Sequence, residues 1–544
     1  MRQFELDSSL WSYEGEGGKH VLFSSPKYPQ RLLRVQRDFL VMSVHRRRSS
    51  SSSSRSSGSR NSTSATSNTT AKSTTCPIVS AAATSTWTTT SQFIQWIIHP
   101  RFSQYHDIPE WIPLSKKDAK RLYQIAMTSN SIPSNRISYW TTVSIGPNTN
   151  EHFWATLLCN YRFTMNPYTI STSSLSCYYY SLELKPKAGY ITTSPFVHPR
   201  NRQKYQMPRF FLKQQQQQQH QNLNTSQTKS RYNPMDLFSM SEERMEIAIE
   251  ALLDCPRNNL QIWNHSQCLV YGQNVRILSE ETVRHLLHIL ILTLRQQKSS
   301  PGGNENECLL LRRIQNWQRL DILDGEGVIW IYHHLLQHYH PGSDMSHDTN
   351  EKRKENEHNE TMEFIIQHHI ENITPYCLRD IQSLPDIWDE DDIQHHQLLE
   401  TSPFRRPDSP SLDRFLSLLS DYARQMDGTN IRSQQSISME ESEYRSLCQS
   451  LISSLTTDDC IYLLRNWLLS LTMCDVSIMV RLTNVPQREF TRLQVPTDTR
   501  FMDCHQTDET WWYSIKLIDC DNKPAQKIST RHTKEKLNFG KVGS

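Results

Sequence analysis

The chain of 544 residues lacks any run of 18 or more apolar residues, which excludes a membrane-spanning helix. Its longest apolar stretch, Leu286–Leu294, is too short and contains His288. The twelve cysteines include no Cys-x-x-Cys pair, so neither a disulfide framework nor a treble-clef zinc site is expected, and a reducing compartment is. The N-terminal residues Met1-Arg2-Gln3-Phe4-Glu5 lack the apolar core of a signal peptide. Glycine is scarce, 15 in all, and no Gly-Lys-Ser/Thr follows a glycine loop, which excludes a Walker-type phosphate loop. Together these absences point to the nucleus or cytoplasm, with no membrane association.

Charge is present but cancelled. The formal net charge is only +3, yet residues 1–230 hold 27 basic and 10 acidic side chains and the remainder holds 32 and 46. Within 341–445 alone, 22 acidic residues face 10 basic ones. Such asymmetry fits anion recognition in one part and a solvating segment in another.

Composition divides the chain. Residues 1–42 carry strand-like runs, Val21–Phe23 and Leu32–Val35. Residues 43–90 are Ser/Thr-rich and cannot bury enough apolar surface to offset their ordering entropy, so a disordered insertion is expected. Residues 91–180 complete an N-lobe, and 181–544 form a C-lobe with low-complexity insertions at 214–230, which opens on a glutamine run, and at about 341–410. Helices are expected over Ser115–Met127, Met240–Leu253, Glu280–Leu294, Leu309–Leu320, Glu443–Leu455 and Asp458–Leu471. Strands are expected over Phe153–Leu158, Ser181–Leu184, Ser477–Leu482 and Trp512–Ile518. The fold class is α+β: a small β-rich N-lobe and a larger mixed C-lobe in a bilobal, kinase-like architecture.

Two motifs carry chemistry. The first is Trp11-Ser12-Tyr13-Glu14-Gly15-Glu16-Gly17-Gly18-Lys19-His20, with three glycines in four positions, followed by a strand. Such a loop lets backbone N–H groups approach phosphate oxygens, and Arg34 on the next strand could reach back to them; a plain hairpin turn has the same pattern. The second is Glu183-Leu184-Lys185-Pro186-Lys187-Ala188-Gly189-Tyr190. Strand alternation would put Glu183, Lys185 and Lys187 on one face, suited to a sugar hydroxyl and several phosphates, or equally to a solvated edge strand.

The second motif resembles the signature of the inositol-pentakisphosphate 2-kinases, and the resemblance extends over most of the folded chain. Trp11–Gly17 is similar to their nucleotide loop, Pro133-x-x-Arg136 to an Arg-Pro-x-x-Arg segment, and Ala155–Tyr161 to the segment that meets adenine. Tyr232-x-Pro234-x-Asp236-Leu237-Phe238-Ser239, Asn258-Asn259-Leu260 and Leu320-Asp321-x-Leu323-Asp324-x-Glu326-Gly327 follow in order. Cys474-Asp475-Val476-Ser477-Ile478-Met479 and Ile518-Asp519-x-x-x-Lys523-Pro524 complete the series. The low-complexity insertions resemble those of a fungal-type member.

The resemblance implies an ATP-dependent kinase that phosphorylates the 2-hydroxyl of inositol 1,3,4,5,6-pentakisphosphate to the hexakisphosphate, acting as a monomer with Mg²⁺ and without direct nucleic-acid binding. It implies catalytic roles for Asp475, Asp519 and Lys185, with Asp519, and secondarily Asp475, holding Mg²⁺. It implies ATP contacts from Gly15, Gly17, Gly18, Lys19, His20, Arg34, Cys159, Asn160, Tyr161, Glu183, Lys185, Asn259 and Asp519. Substrate phosphates would meet Arg136, Lys187, Arg209, Lys213, Asn258, Lys523, Lys527 and Arg531. The last three fall at i, i+4, i+8, so a helix there would align them.

This chain departs from the family pattern at Lys213 (usually His), Gln217 (in place of a Lys), Gln261 (often Arg), Cys474 (Lys) and Arg531 (Tyr), so altered phosphate contacts are expected. His333, His334, His338, His340 and His347 form a cluster in which His334 and His338 have ligand spacing, but no Cys falls among them and no zinc is assigned. Two other readings compete: a non-catalytic binder of highly phosphorylated inositols, which would not need both Asp475 and Asp519, and a nucleic-acid-binding protein, whose basic half lacks aromatic interleaving and an RNA-reading signature.

Overall fold

The computed structural model describes residues 7–16, 20–37, 40–41, 93–129, 132, 153–161, 179–220, 230–264, 267–272, 274–275, 280–295, 310–339, 409–428, 440–484, 500–504, 509–521 and 523–531. Gly17, Gly18, Lys19, Arg136, His340, His347, the Ser/Thr-rich segment 43–90 and the acidic segment up to 408 lie outside them. The chain forms two compact units, one of residues 1–92 and 107–165, the other of residues 93–106 and 166–544. Both contain helices and an antiparallel sheet, so the protein is α+β. Among the described residues, no helix is long and apolar enough to cross a membrane.

In the first unit, β1 (Ser12–Glu16), β2 (His20–Ser24), β3 (Arg31–Gln36), β4 (Glu110–Leu114) and β5 (Phe153–Cys159) form one sheet in the order β1-β2-β3-β5-β4. Alternation along β2 buries Val21 and Phe23, and β3 and β5 add Leu33, Val35, Ala155 and Leu157. Helix α1 (Lys116–Thr128) covers them with Ala119, Leu122 and Ala126, spaced to share one face. Ser115 caps α1, its Oγ accepting from the Asp118 N–H at 3.1 Å.

The segment Phe93–His106, expected in the first lobe, belongs to the second unit. The reason is its burial: Ile94, Ile97, Ile98, Phe102 and Tyr105 join the larger core, and the Phe102 ring meets Trp317 edge-on at 5.5 Å between centroids. The second unit then runs through β6 (Tyr179–Leu184), α2 (Arg209–His220), α3 (Glu242–Asp254), β7 (Arg257–Asn264), β8 (Gln267–Gly272), β9 (Asn274–Val275), α4 (Glu280–Arg295), α5 (Leu310–Gln318), α6 (Asp324–Tyr339), α7 (Pro410–Gly428), α8 (Glu441–Ile452), α9 (Thr457–Asp475), β10 (Ser477–Asn484), β11 (Arg500–Cys504) and β12 (Glu509–Ile518).

The seven strands pair in the order β11-β12-β10-β6-β7-β8-β9. One face carries Leu182, Leu184, Leu260, Ile262, Ile478, Val480, Ile515 and Leu517 into the core. Helix α9 is buried along most of its length, from Asp459 to Ser470, as expected of a helix apolar on nearly all sides. It extends four residues beyond Leu471, to Asp475. Helix α2 runs through the glutamine run, although that run was expected in a low-complexity insertion; glutamine is a good helix former and Phe210, packed on the core, anchors the start. Ser241 occupies the N-cap of α3 without a side-chain cap bond.

Asp459 fastens α7 to α9. Its carboxylate accepts from Ser409 Oγ (2.5 Å), Ser411 Oγ (2.6 Å), and the Thr456 Oγ1 (2.6 Å) and N–H (3.0 Å). Burial alone would push this carboxyl up; the Ser409, Ser411 and Thr456 donors override it and hold it below its ordinary value. Its contribution is therefore full above about pH 4, the unfolded carboxyl's range, and is lost as pH falls below that toward the lower folded value. Asp459→Ala should cost about 1–3 kcal/mol in urea unfolding at pH 7. The loss should shrink as the pH falls below about 4; an equal loss at acid pH would show that the charge contributes nothing.

Candidate functional site

Four strand ends converge at one end of the larger sheet. In β10, Ser477 pairs with Ile518 of β12 and Ile478 with Leu184 of β6. Leu184 in turn pairs with Leu260 of β7. The residues just outside these pairs are Asp475 before β10, Asp519 after β12, Lys185 after β6, and Asn258 and Asn259 at the start of β7. Sheet ends of this kind leave backbone and side chains unpaired by the ladder and are where α/β folds collect ligand groups.

The expected strand face of Glu183, Lys185 and Lys187 is not what forms. The strand stops at Leu184, because Pro186 cannot donate to a ladder, and Lys187 turns into a left-handed conformation with φ 63°. The turn is held from outside. The Gln318 side chain accepts from the Gly189 N–H (2.8 Å) and donates to the Lys187 carbonyl (2.8 Å) and the Met473 carbonyl (3.1 Å). Tyr232 Oη donates to the Pro186 carbonyl at 2.7 Å, and the Lys185 N–H donates to the Asn259 carbonyl at 2.8 Å. Gly189 is packed so tightly on Phe238 that a Cβ there would lie 2.0 Å from the ring.

Lys185 Nζ stands 3.1 Å from Asp519 Oδ2 and 3.5 Å from Glu183 Oε1. Ser477 Oγ lies within hydrogen-bond reach of both carboxylates, 3.0 Å from Glu183 Oε1 and 3.2 Å from Asp519 Oδ2. Burial works against the Lys185 charge, but Asp519 and Glu183 outweigh it and raise its pKa. Asp475 is the last residue of α9 rather than a strand residue, and its Oδ2 pairs with Lys523 Nζ at 2.7 Å. Against desolvation, Lys523, and beyond it Lys187 and Lys213, hold the Asp475 carboxyl below its ordinary value.

Lys187 and Lys213 differ from Lys185. Among the described residues, neither has a carboxylate at ion-pair distance. Burial lowers the Lys187 pKa, and neighbouring Lys185 and Lys213 lower it further; burial and then Arg209 lower that of Lys213. Asp475 favours both charges but does not offset the burial and crowding, a state that a polyanion would relieve.

Asp519 also adopts a left-handed backbone, φ 61°, and its side chain is 48% exposed. Its Oδ2 is engaged by Lys185 and Ser477, while among the described residues no partner reaches Oδ1. A half-exposed carboxylate with one free oxygen, next to Glu183, is the hard-oxygen donor set that Mg²⁺ takes. Asn259 is buried, and its Oδ1 has no hydrogen-bond partner among the described residues.

The C-terminal trio does not lie on one helix. Lys523 precedes the helical turn at 526–531, and only Lys527 and Arg531 ride on it. Arg531 lies over Gly325 near Asp321 and Asp324, and Arg209 is also near these carboxylates, which favour its charge against burial. Of the first unit's expected residues, Gly15 sits in β1 at a register shift with open space around it. His20 pairs with Gln36, and Arg34 lies on β3 opposite Leu22 and Thr156. Cys159 closes β5 beside Arg31, Asn160 donates to the Gln30 and Pro29 carbonyls at 2.7 and 3.0 Å, and Tyr161 Oη donates to Asp107 at 2.5 Å. His333, His334 and His338 lie on α6, and among the described residues no group of three or more potential metal ligands is gathered.

Ser477 and Gln318 were not singled out by the sequence. Ser477 stood inside the Cys474–Met479 motif. Gln318 had a fainter signal: it follows Leu311 and Ile314 at core spacing on α5, a polar residue where the helix buries its apolar face.

The family described as inositol-pentakisphosphate 2-kinase matches residues 13–537. A protein of that name from Arabidopsis thaliana is 30% identical over 168 residues, covering 29% of this chain and 36% of the relative. One from Oryza sativa subsp. indica is 26% identical over 162 residues, with the same coverage. One from Danio rerio is 37% identical over 90 residues, 16% of this chain and 17% of the relative. The matched segment thus spans about a third of the plant relatives' length.

The contrast between the lysines is measurable. In amine acylation followed by peptide mass spectrometry, the rate at Lys187 should rise with a midpoint below the ordinary lysine value of about 10.4, and at Lys185 above it. The reverse order would refute the described electrostatics.

Proposed function

Because the chain belongs to the inositol-pentakisphosphate 2-kinase family, we propose that it transfers the terminal phosphoryl group of ATP to the 2-hydroxyl of inositol 1,3,4,5,6-pentakisphosphate, forming the hexakisphosphate. The observation that carries this reading is the crowding of Lys187 and Lys213, whose charges burial and neighbouring cations disfavour by more than Asp475 restores. A substrate with five phosphates supplies the charge this cluster lacks.

On this reading the two units are the small and large lobes of a kinase-like enzyme. The first carries the nucleotide residues Gly15, His20, Arg34 and Cys159–Tyr161. The second carries the chemistry. Phosphoryl transfer has a loose transition state, so positioning and charge stabilisation do most of the work. Lys185, braced between Glu183 and Asp519, presents its ammonium to the ATP phosphates. Asp519 and Glu183 would hold Mg²⁺, which when bound neutralises charge building on those phosphates. Asp475 orients the 2-hydroxyl and takes its proton as the bond to phosphorus forms. Its low pKa makes it a weak base, suited to late transfer of that proton. Lys523, now paired with Asp475, and Lys527, Lys187, Lys213 and Asn258 surround the inositol phosphates. The free thiols of Cys159, Cys255, Cys268, Cys448, Cys460, Cys474 and Cys520 are in keeping with a nuclear or cytoplasmic enzyme.

A purely binding role is disfavoured by the same site: the half-exposed Asp519 and the more exposed Asp475 would repel a polyanion and serve no purpose in a binder. Purified protein incubated with Mg-ATP and inositol pentakisphosphate should yield hexakisphosphate on anion exchange; no product from folded protein would sink the proposal. Asp475→Asn should lower kcat by about 10²–10⁴ with substrate affinity kept or improved, because a carboxylate facing the anion is removed. Near-normal turnover in that variant would reassign the proton acceptor.

A further inference from the structure

Arg531 is set apart from the other C-terminal cations by what it touches. Its guanidinium lies directly over Gly325, the second residue of α6: a Cβ at that position would be 1.9 Å from the guanidinium carbon. Any side chain there would drive Arg531 out. The site is also electrostatically unusual. Arg531 sits at a helix N-terminus, where the backbone dipole disfavours a cation. Carboxylates offset this. Asp324 and Glu326 lie in the first turn of α6, and Asp321 lies just before it. Arg531 acts on both Asp321 and Asp324, while Lys204 pairs with Asp324 at 2.6 Å and also with Glu326. What separates Arg531 from Lys185 and Lys523, which also meet carboxylates, is that its guanidinium is lodged against backbone, over Gly325. Lys527, one turn earlier, has no ion-pair partner among the described residues. Lys523, before the helical turn begins, pairs with Asp475.

We infer that Arg531 is a positioning residue rather than a phosphate ligand: seated over Gly325 near Asp321 and Asp324, it locks the helical turn at 526–531 to the start of α6 and so fixes Lys527 on that turn and Lys523, the partner of Asp475, just before it. The inference rests on the kinase reading for the identity of the anion. It gives the Asp321–Gly327 segment a role in the site without any of its carboxylates meeting substrate. It also explains why Gly325 must be glycine although it lies in a helix, where glycine is otherwise unfavourable.

The test compares Arg531→Ala, Gly325→Ala and the double variant with the wild type. Calorimetric binding of inositol pentakisphosphate is measured alongside kcat, and Arg531→Ala is also made on a Lys523→Ala, Lys527→Ala background. A positioning residue acts through Lys527 and Lys523, so Arg531→Ala should weaken inositol pentakisphosphate about tenfold, leave kcat within about twofold, and add little to a Lys523→Ala, Lys527→Ala background. Gly325→Ala should reproduce the effect, and the double variant should bind no worse than Arg531→Ala, because both changes undo one contact. Should Gly325→Ala fail to unfold cooperatively, recovery of a cooperative transition in the double variant shows the same clash. The inference is overturned if the Arg531→Ala defect persists in full on the Lys523→Ala, Lys527→Ala background, which marks a direct contact of Arg531 with the anion. It is overturned equally if the Arg531→Ala and Gly325→Ala losses add, or if Arg531→Ala binds normally. Absence of turnover in the wild type would instead defeat the kinase reading.

Discussion

Everything at the site depends on the register of β10. This strand is central in the larger sheet, paired on one side with β6 and on the other with β12. Its pairing brings Lys185 and Asp519, 334 positions apart in the chain, to 3.1 Å. A slip of one residue would turn Ile478, Val480 and Leu482 away from the core and carry Ser477 from between Glu183 and Asp519. The hydrophobic pattern of β10 is thus what enforces the polar arrangement at its end. Core burial of three side chains fixes a contact that the charged groups alone, partly exposed and competing with water, could not hold.

The cations of the second unit form three grades. Lys185 is compensated twice and stays charged. Lys523 is compensated once, by a carboxylate on the opposite side of the chemistry. Lys187 and Lys213 feel Asp475 only from beyond ion-pair distance, among the described residues, and stay depressed. On the proposed reading, a group already paired would exchange partners with an incoming anion, while Lys187 and Lys213 would gain one. The strained backbones at Lys187 and Asp519 belong to the same scheme. Each turns the chain sharply away from its strand end, and the Lys187 turn is over-determined by Gln318 and Tyr232, which keeps such a conformation populated.

Much of this was legible in residue order. The helices from Ser115, Glu280 and Asp458 and the strands around Val480 and Ile515 follow from period and capping alone, and the ordered motifs named the residues at the sheet end. What could not be read was three-dimensional. Alternation suggested that Lys187 shares a face with Glu183, because a pattern cannot register that Pro186 ends the ladder one residue early. The spacing of Lys523, Lys527 and Arg531 suggested one helix, though Pro524 lies between the first two and the turn begins after it. Phe93–Ile98 was visibly apolar, but which core it enters is a tertiary fact. Gln318 showed only as a polar residue at core spacing, because its partners are backbone atoms scattered from Lys187 to Met473.

The glutamine run has a genetic consequence. Gln214, its first member, accepts from the Ser230 N–H at 3.1 Å, so a tie between α2 and Ser230 sits at the start of the run. Repeats of one amino acid expand and contract readily, and here any change in their number falls beyond that tie. About 3.6 added glutamines would extend the helix outward by one turn of about 5.4 Å, leaving Arg209 and Lys213 in place. Lengthening the loop between Gln214 and Ser230 is also cheap, about 0.6 kcal/mol per doubling. Variants that differ in repeat length should therefore be nearly equivalent in the population that carries them.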